Sequence, residues 1–522
     1  MLPFTEAQAG ARKGRAITDQ GFILKPVLNF RTANNLPTYL TFLDVKQAYD
    51  SVWKAAMLLN LWEKGIRGKV WRLIRQMNTE LTTEIVTRFG LTEPVPVQEG
   101  LRQGGVASGL VFASLLDRAE TDLQSENLGV EYAGTKICCL LLMDDIILIA
   151  PSPPTMQNML DVMDRLALQC HLAYNQTKSK VMIINAPESL PQHQWSIGEL
   201  QLEETQQYTY MGEVITPSLM LHQNINHLYQ RSFWISSTIF ATAAETTLCR
   251  LKMQTLLQLY QTCWLHAICY NSEAWQPNEE DIKRLESMQL DLLRRILKIP
   301  VSTPKVAIFG ELGVLPIHYE IHKRQLNWLH KLTTTNKLAS KALCQQAIYP
   351  QENSWWFAIQ STLQQYQLPT VLDQIASFKH ASWKRIVNRK ISNSFTRWYQ
   401  TESIAKSKML RVFQTKTQPS TASYVLKLSR NEAATVFRIR CRMTTAACNR
   451  SILPEICPRC QDGLDSDEHA FSTCPSLREL RNRHKIEGLD AIYQQDCNLD
   501  VLKAYALFTK EAKLLPPQFE YH

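Results

Sequence analysis

Two apolar runs separated by two aspartates form the most regular hydrophobic pattern in the chain. Residues 137–143 are all apolar, Asp144 and Asp145 follow, and residues 146–150 are apolar again. Each run has the length and the aliphatic or β-branched character of a buried strand. Two polar residues between two such strands predict a tight hairpin with both aspartates at its tip. The alternative is a solvated turn, because turns are rich in aspartate.

Alternating strand and helix patterns continue to about residue 220. Residues 38–43 alternate polar and apolar side chains and predict a strand that ends at Asp44. The same spacing rules predict helices over about 47–64, 69–81, 110–123 and 157–172, and strands over 83–89, 95–97, 180–184 and 208–215. Up to this point the pattern is that of an α+β domain.

Beyond residue 220 the pattern becomes almost wholly helical. It is clearest over 281–297, where Ile282, Leu285, Met288, Leu292 and Ile296 recur at helical spacing and predict a core-facing stripe. The glutamine-rich residues 345–374 predict a linker or irregular helices.

The bulk properties set broad limits on the class of protein. A chain of 522 residues is long enough for two to four domains. No apolar stretch approaches the ~20 residues that a membrane span needs, and the first residues do not resemble a secretory signal. The 13 cysteines, an odd number scattered through apolar surroundings, favour a reducing compartment. We therefore expect an intracellular protein without a membrane partner.

The positive charge is concentrated in one segment. Residues 379–450 contain 16 lysines or arginines and two acids, whereas the rest of the chain is net negative although the whole carries +9. Aromatic residues recur between these lysines and arginines, namely Trp383, Phe395, Trp398, Tyr399, Phe413, Tyr424 and Phe437. Such a mixture predicts contact with a nucleic-acid backbone together with base stacking. The alternative is a set of solvated helix faces whose aromatic residues belong to the core.

Three carboxylates are candidates for one catalytic site. Asp44, at the end of its predicted strand, taken alone favours the cap of a following helix. Together with Asp144 and Asp145 on a neighbouring strand pair, it can instead complete a site for two divalent cations of the kind used in nucleotidyl transfer.

These motifs resemble the palm of reverse transcriptases, specifically those of non-LTR (LINE-type) retrotransposons. The resemblance rests on Asp44-Val45-Lys46-Gln47-Ala48-Tyr49-Asp50 followed by the Asp144-Asp145 hairpin. Other stretches agree with the family in order: residues 8–15 with 18–20, Gly100-Leu101-Arg102-Gln103-Gly104, residues 172–175 with Lys178-Ser179-Lys180, Tyr210-Met211-Gly212, and residues 302–304 with 311–313. The collinear order covers roughly the first 335 residues.

The resemblance implies a role for each matched residue. Asp44, Asp144 and Asp145 would ligate two catalytic Mg²⁺ ions, and Tyr49 would pack under the sugar of the incoming nucleotide. The remaining implied contacts are Gln103 and Gly104 in the template and nucleotide slot, Lys180 near the triphosphate, Arg12 on the fingers surface, and Tyr210 with Gly212 in the primer grip.

The resemblance also implies an α+β right-hand polymerase. Its expected parts are partial fingers (1–37), a reverse transcriptase palm (38–220), a helical thumb (221–345), a linker and basic helical region (346–450), a small zinc knuckle (451–480) and a tail (481–522). Leu142 and Met143 replace the aromatic residue and alanine usual before the aspartates, and residues 105–109 lack the prolines usual after the glycine-rich loop. The chain opens at the second fingers motif, which suggests an element copy truncated at its N-terminal side.

A second motif predicts a metal site near the C-terminal end. Cys457, Cys460, His469 and Cys474 follow the pattern C-x2-C-x8-H-x4-C, which fits tetrahedral zinc. The alternative is a chance grouping of common residues. Non-LTR elements often carry a similar module after the thumb. The other nearby cysteines, Cys441, Cys448 and Cys497, lack this spacing and are expected to be ordinary thiols.

The resemblance thus predicts an RNA-directed DNA polymerase that uses Mg²⁺, carries structural Zn²⁺ and acts in the nucleus. Its partners would be an RNA template, a DNA primer or target, and deoxynucleoside triphosphates. A non-catalytic, nucleic-acid-binding remnant of such an element is the main alternative. A telomere-type polymerase would share the palm but not the thumb and knuckle motifs.

Overall fold

A computed structural model describes residues 4–79, 81–105, 107–186, 193–245, 252–335, 337–352, 354–405, 416–444, 446, 455–494 and 498–515. Phe413, Cys448 and Cys497 lie outside the described residues, as do parts of the basic segment and the first four residues of the predicted knuckle.

The first 215 residues alternate helices and strands, as predicted. The helices are α1 (Ile17–Ala33), α2 (Lys54–Glu63), α3 (Gly68–Thr79), α4 (Ser108–Leu116), α5 (Arg118–Ser125) and α6 (Pro153–Cys170). The strands are β1 (Thr38–Asp44), β2 (Thr82–Thr83), β3 (Val86–Thr87), β4 (Gly90–Leu91), β5 (Val95–Pro96), β6 (Val130–Tyr132), β7 (Thr135–Ile137), β8 (Cys139–Leu142), β9 (Asp145–Ala150), β10 (Lys180–Ile184), β11 (Trp195–Ile197), β12 (Leu200–Glu204), β13 (Tyr208–Tyr210) and β14 (Glu213–Ile215).

The rest of the described chain is helical, which confirms the change of pattern near residue 220. Its labelled helices are α7 (Leu221–Glu245), α8 (Met253–Leu259), α9 (His266–Ile268), α10 (Glu279–Leu297), α11 (Lys305–Leu312), α12 (Ile317–Thr333), α13 (Leu338–Ile348), α14 (Trp355–Gln365), α15 (Leu372–Ala376) and α16 (His380–Ala405). Four further helices span Ser423–Lys427, Arg430–Arg440, Arg478–His484 and Leu499–Glu511.

A six-stranded sheet organises the first half of the molecule. Its order is β11-β12-β10-β1-β9-β8, and β1 pairs antiparallel with both β10 and β9. Strand β1 is central and buried except at its last residue. Because side chains alternate between the two faces of a strand, successive apolar residues of β1 enter different cores.

The two faces of the sheet belong to two hydrophobic cores. Leu43, Leu141 and Leu148 pack with residues of α2, α4, α5 and α6 on one face. On the other face, Phe42 and Ile147 join a larger core that also contains residues of α1 and of the helices that follow the sheet, as far as Leu514. The segments predicted as thumb, basic region and knuckle therefore share a core with the sheet.

Several predicted elements differ from the observed ones. The helix predicted over 47–64 begins only at Lys54, because Gln47 adopts a left-handed φ of 49° and starts a turn. The helix predicted over 110–123 is divided at Asp117, whose buried carboxylate accepts hydrogen bonds from the backbone N–H of Thr5 at 3.0 Å and binds the ammonium of Lys64. Of the two alternatives for residues 345–374, a linker or irregular helices, the described residues favour helices, since they include the end of α13, all of α14 and the start of α15. Helix α1 was not predicted.

Candidate active site

Strand pairing brings the three predicted carboxylates to one end of the sheet. In the register of β1 and β9, Asp44 lies directly opposite Asp145, and Asp144 precedes Asp145 in the adjoining turn. Directly opposed residues of antiparallel strands have Cα atoms about 4.5–5.5 Å apart. The juxtaposition predicted from the sequence is therefore present. The alternative for Asp44 is excluded, because the helix that follows has Trp53 at its N-cap.

The hairpin differs from the prediction in its turn residues. Leu142 pairs with Asp145, so the turn consists of Met143 and Asp144, and Asp145 is the first residue of β9. The reason is the register of the two apolar strands, which leaves those two residues unpaired. Met143 adopts a φ of 59°, a left-handed conformation that costs a non-glycine residue free energy and needs support from its surroundings.

That support comes from the N-terminal segment. Gln8 is completely buried, and its Oε1 accepts hydrogen bonds from the backbone N–H groups of Gly10 at 2.7 Å and Met143 at 3.3 Å. Its Nε2 donates to the carbonyl of Ala113 at 3.3 Å. A Cβ atom at Gly10 would lie 2.6 Å from the nitrogen of Met143, so glycine is required for this close approach.

The segment after α6 holds the other aspartate. The backbone N–H of Asp44 donates to Ser179 Oγ at 3.2 Å, and its carbonyl accepts from the N–H of Asn175 at 2.8 Å. Lys178 Nζ lies 3.6 Å from Asp44 Oδ2. Lys180 Nζ instead binds Glu203 Oε2 at 2.6 Å. Lys178 is therefore the lysine beside the carboxylates, and the role of Lys180 near a triphosphate stays a prediction.

The surroundings of Asp145 shift its protonation equilibrium. Partial burial, together with the charges of Asp144 and Asp44, raises the pKa of Asp145 to about 6, and Lys178 opposes the shift. Three converging carboxylates offer the oxygen ligands that Mg²⁺ prefers. A divalent cation would offset the carboxylate repulsion that adds to the effect of burial on this pKa, so the residues present fit the ion that the family implies.

Tyr49 lies beside this cluster. Its ring stacks on Phe112 with centroids 5.0 Å apart, and a Cβ atom at Gly109 would lie 3.5 Å from its hydroxyl. Burial and the charge of Asp144 raise its pKa. The structure thus brings Tyr49 to the site, and its packing under a sugar stays a prediction.

The glycine-rich loop lies at the surface, and Arg12 is hydrogen-bonded within its own segment. Gln103 and Gly104 are exposed, and Gly104 adopts a φ of 81° with open space where a side chain would lie. Arg12 is half-buried and donates to the carbonyls of Thr5 and of Gln8, the latter at 2.7 Å. Its guanidinium is therefore engaged within its own segment. The nucleotide and template contacts of all three residues stay predictions.

The predicted primer grip is a hairpin formed by β13 and β14. Gly212 turns the chain with a φ of 77°, and Tyr210 is buried against Phe42, with ring centroids 6.2 Å apart. Tyr270 was not recognised in the sequence. Its Cε1 would lie 3.5 Å from a Cβ atom at Gly212, so it faces the same turn, and a residue so distant in sequence gave no local signal.

The four residues of the C-terminal motif also lie together. One ligand atom from each of Cys457, Cys460, His469 and Cys474 falls within 4.8 Å of the others. A tetrahedral zinc site with Zn–S bonds of about 2.3 Å has edges of roughly 3.8 Å, so the donor set and its size fit zinc. Gly463, with a φ of 85°, leaves room for His469, whose ring would be 3.0 Å from a Cβ atom there.

The structure corrects the prediction that aromatic residues of the basic segment stack on nucleic-acid bases. Trp383, Phe395, Tyr399, Tyr424 and Phe437 are buried, and Trp398 packs against the core. These rings cannot stack on bases, because they fill the interior. Some of the basic side chains are internal as well, namely those of Lys416, Arg438 and Arg440. Among the described residues of this segment, the exposed lysines and arginines lie mainly on α16.

No helix among the described residues is both long and apolar enough to cross a membrane.

Comparison with known proteins agrees with the sequence resemblance. Residues 2–215 match the family described as Reverse transcriptase (RNA-dependent DNA polymerase). This part of the chain is thus similar to reverse transcriptase domains, and the match supports an RNA-directed DNA polymerase, which is a nucleotidyltransferase. Similar proteins from the retrotransposable element R2 and the mobile element jockey support a non-LTR retrotransposon as its source.

The chain is 28% identical over 141 residues to the Retrovirus-related Pol polyprotein from type-1 retrotransposable element R2 of Popillia japonica, covering 27% of this chain and 22% of that protein. It is 23% identical over 270 residues to the RNA-directed DNA polymerase from mobile element jockey of Drosophila funebris, covering 50% of this chain and 28% of that protein. A transposon-derived protein of Caenorhabditis elegans is 25% identical over 204 residues, covering 37% of this chain and 71% of that protein. The matched region thus spans less than a third of the two named element proteins.

Among solved structures, a telomerase from Candida tropicalis in complex with a fragment of telomeric RNA is similar, with a TM-score of 0.35 and 13% identity over 74% of this chain and 53% of that chain. The telomerase from Candida albicans gives a TM-score of 0.34 with 11% identity over the same shares of the two chains.

Proposed function

We propose that this chain synthesises DNA on an RNA template, adding deoxynucleotides to a primer as part of a non-LTR retrotransposon. The observation that carries the proposal is the pairing of Asp44 with Asp145 beside Asp144. The family match over residues 2–215 supports the same chemistry. The proposed substrates are an RNA template, a DNA primer and deoxynucleoside triphosphates.

The residues of the site would bind the metal ions, the triphosphate and the sugar. Asp44, Asp144 and Asp145 would hold Mg²⁺, which when bound stabilises negative charge on the transferring phosphate. Lys178, 3.6 Å from Asp44, places a positive charge where the triphosphate would approach. Tyr49 would form the floor under the sugar and exclude a 2′-hydroxyl.

The remaining parts of the proposal concern the rest of the chain. Residues 1–37 would act as fingers, 38–220 as palm and 221–345 as thumb, with the basic helices and a zinc knuckle after them. Cys457, Cys460, His469 and Cys474 would hold structural Zn²⁺. A nuclear location is part of the same proposal, because the proposed DNA target would be genomic.

Primer extension tests the polymerase. Purified chain with oligo(dT) on poly(rA), Mg²⁺ and dTTP should extend the primer. Asp144→Asn should lower the rate by at least about a hundredfold. The variant loses a carboxylate ligand of the Mg²⁺ that would stabilise negative charge in the transition state. Asp122→Asn, which makes the same charge change on α5, should keep the wild-type rate. No extension by the wild type, with RNA binding intact, would favour the non-catalytic remnant.

A further inference from the structure

From Lys384 to Arg397, the outward face of α16 is a cationic stripe without carboxylates. Lys384, Arg385, Arg389 and Arg397 are exposed, and Lys390 is partly exposed. We use "α16 stripe" for these five residues. The sequence contains no acid from residue 380 to 401. Among the described residues, no ion pair joins any member of the stripe to a carboxylate, whereas the buried Lys416 and Arg440 both bind Glu311.

A concave pocket lies on the same face. It has a volume of about 420 Å³ and is lined by Gln367, Lys390, Asn393, Thr396 and Arg397. All five side chains are hydrogen-bond donors, and two carry positive charge. Such a lining suits a phosphate group, which presents several acceptor oxygens and a negative charge.

The inward face of α16 limits what the outward face can bind. Trp383, Val387, Ile391, Phe395 and Tyr399 follow one another at four-residue intervals and are all buried. A helix that binds a membrane surface needs an exposed apolar face, and here that face is already covered by the core. Base stacking needs exposed aromatic rings, and those on this helix are internal or packed against the core.

We infer that the α16 stripe binds the sugar–phosphate backbone of nucleic acid without reading its bases, with one phosphate in the pocket of Lys390 and Arg397. This inference rests on the proposed function, which supplies a nucleic-acid substrate. From Arg385 to Arg397 the helix extends about 18 Å. One strand of a duplex presents about five phosphates over that distance.

Salt-dependent binding tests the inference. Fluorescence anisotropy of the full chain with a labelled RNA duplex, an RNA–DNA hybrid and a DNA duplex gives affinity as a function of salt concentration. Arg389→Gln/Lys390→Gln/Arg397→Gln should weaken binding by about tenfold or more and reduce the salt slope by two to three, since each lost phosphate contact removes about one unit. An equal loss on all three duplexes indicates phosphate contact alone, and a larger loss on the RNA duplex indicates a preference for its A-form geometry.

Two controls keep the result interpretable. Arg165→Gln/Lys283→Gln/Arg483→Gln removes the same charge from exposed residues that pair with acids elsewhere and should bind as the wild type does. Arg389→Lys/Arg397→Lys keeps the charge and should restore most of the affinity, which separates charge loss from misfolding. Wild-type affinity in the glutamine variant, or an equal loss in the charge-matched control, would overturn the inference.

Primer extension by the wild-type chain, measured in the same preparation, separates this inference from the proposed function. Binding that depends on the stripe without any extension would overturn the polymerase alone. Extension with binding that ignores the stripe would overturn the inference alone.

Discussion

The side-chain oxygen of Gln8 accepts a hydrogen bond from the backbone N–H of Met143, 3.3 Å away. A residue near the start of the chain thus supports the strained turn that carries Asp144. Glutamine suits this position because its amide accepts from the turn while it donates to α4 through the carbonyl of Ala113. Gln8 is a positioning residue, since it acts on the site only through the turn.

Replacing Gln8 with methionine should impair catalysis more than binding. Methionine has a similar volume but leaves the N–H of Met143 without its acceptor, so the turn is free to shift. A misplacement of the Asp144 carboxylate by about 1 Å can cost on the order of a hundredfold in rate. We expect kcat to fall about tenfold or more with little change in KM, measured by steady-state primer extension.

Gln289→Met is the matched control for this prediction. Gln289 is also fully buried and donates to Tyr260 and to the carbonyl of Leu315, but it lies on α10. It should lose stability without a selective fall in kcat. Equal kinetic effects of the two variants would show that Gln8 contributes only to folding.

Glu311 should be essential for stability. Its carboxylate is buried and binds Arg440 Nε at 2.9 Å, Lys416 Nζ at 3.3 Å and the Tyr424 hydroxyl at 2.8 Å. Burial raises its pKa, but Arg440 and Lys416 outweigh this effect and hold the pKa at about 2. Glu311→Gln leaves two buried cations uncompensated and should lower the free energy of unfolding by about 3–5 kcal/mol.

Chemical denaturation of Glu311→Gln beside Glu511→Gln measures this difference. Glu511 pairs with Arg483 at the surface, so its neutralisation should have little effect on the free energy of unfolding. A loss of similar size in both variants would contradict the structural role of the buried cluster.

Zinc binding should depend on Cys474. Its Sγ lies 4.0 Å from that of Cys457, within the four-residue cluster. Cys474→Ser should lower the zinc content of the purified chain from about one equivalent towards zero, because a structural site needs four ligands. Cys344→Ser, which changes an exposed cysteine of α13, should retain the metal. Elemental analysis of the dialysed proteins decides between them, and zinc retention by both variants would rule out the site.

Stability should fall as the pH drops below about 6.5, because of two histidines on α12. Burial, with smaller contributions from His322 and Lys305, lowers the pKa of His318 to about 3, and burial lowers that of His322 to about 4. The unfolded chain takes up protons near pH 6.5 that the folded chain does not. Each histidine therefore removes up to about 1.4 kcal/mol of stability per pH unit, until the pH approaches its folded pKa.

Unfolding free energies measured at about pH 7 and 5.5 test this dependence. His318→Gln/His322→Gln should flatten the fall with pH, whereas His266→Gln, at an exposed position, should not. Parallel curves for the wild type and the double variant would assign the acid sensitivity to other groups.

Features set by local periodicity were predictable from the sequence. The strand predicted over 180–184 has those bounds, and β1 ends at Asp44 as predicted. Both strands have a simple pattern of apolar residues that marks where they begin and end. Helix α1 was missed because it is buried on several sides and contains Pro26, so no apolar stripe marks it. The spacing of Trp383, Ile391 and Tyr399 already contained the signal that these residues face the core.

Other features depend on tertiary contacts that no local pattern encodes. Lys178 and Lys180 are two residues apart, and only the position of Glu203 on a neighbouring strand determines which of them remains beside the carboxylates. The support of Met143 by Gln8 likewise joins residues separated by 135 positions. Predicting either one requires the sheet to be assembled first.

One uninterrupted interior joins Phe22 near the start of the chain to Leu514 near its end. Truncation after the predicted thumb would remove part of this shared hydrophobic core. The remaining apolar surface would be exposed to water, where aggregation competes with refolding. A truncation that removes the helices near Leu514 is therefore expected to destabilise the core that the sheet shares with them.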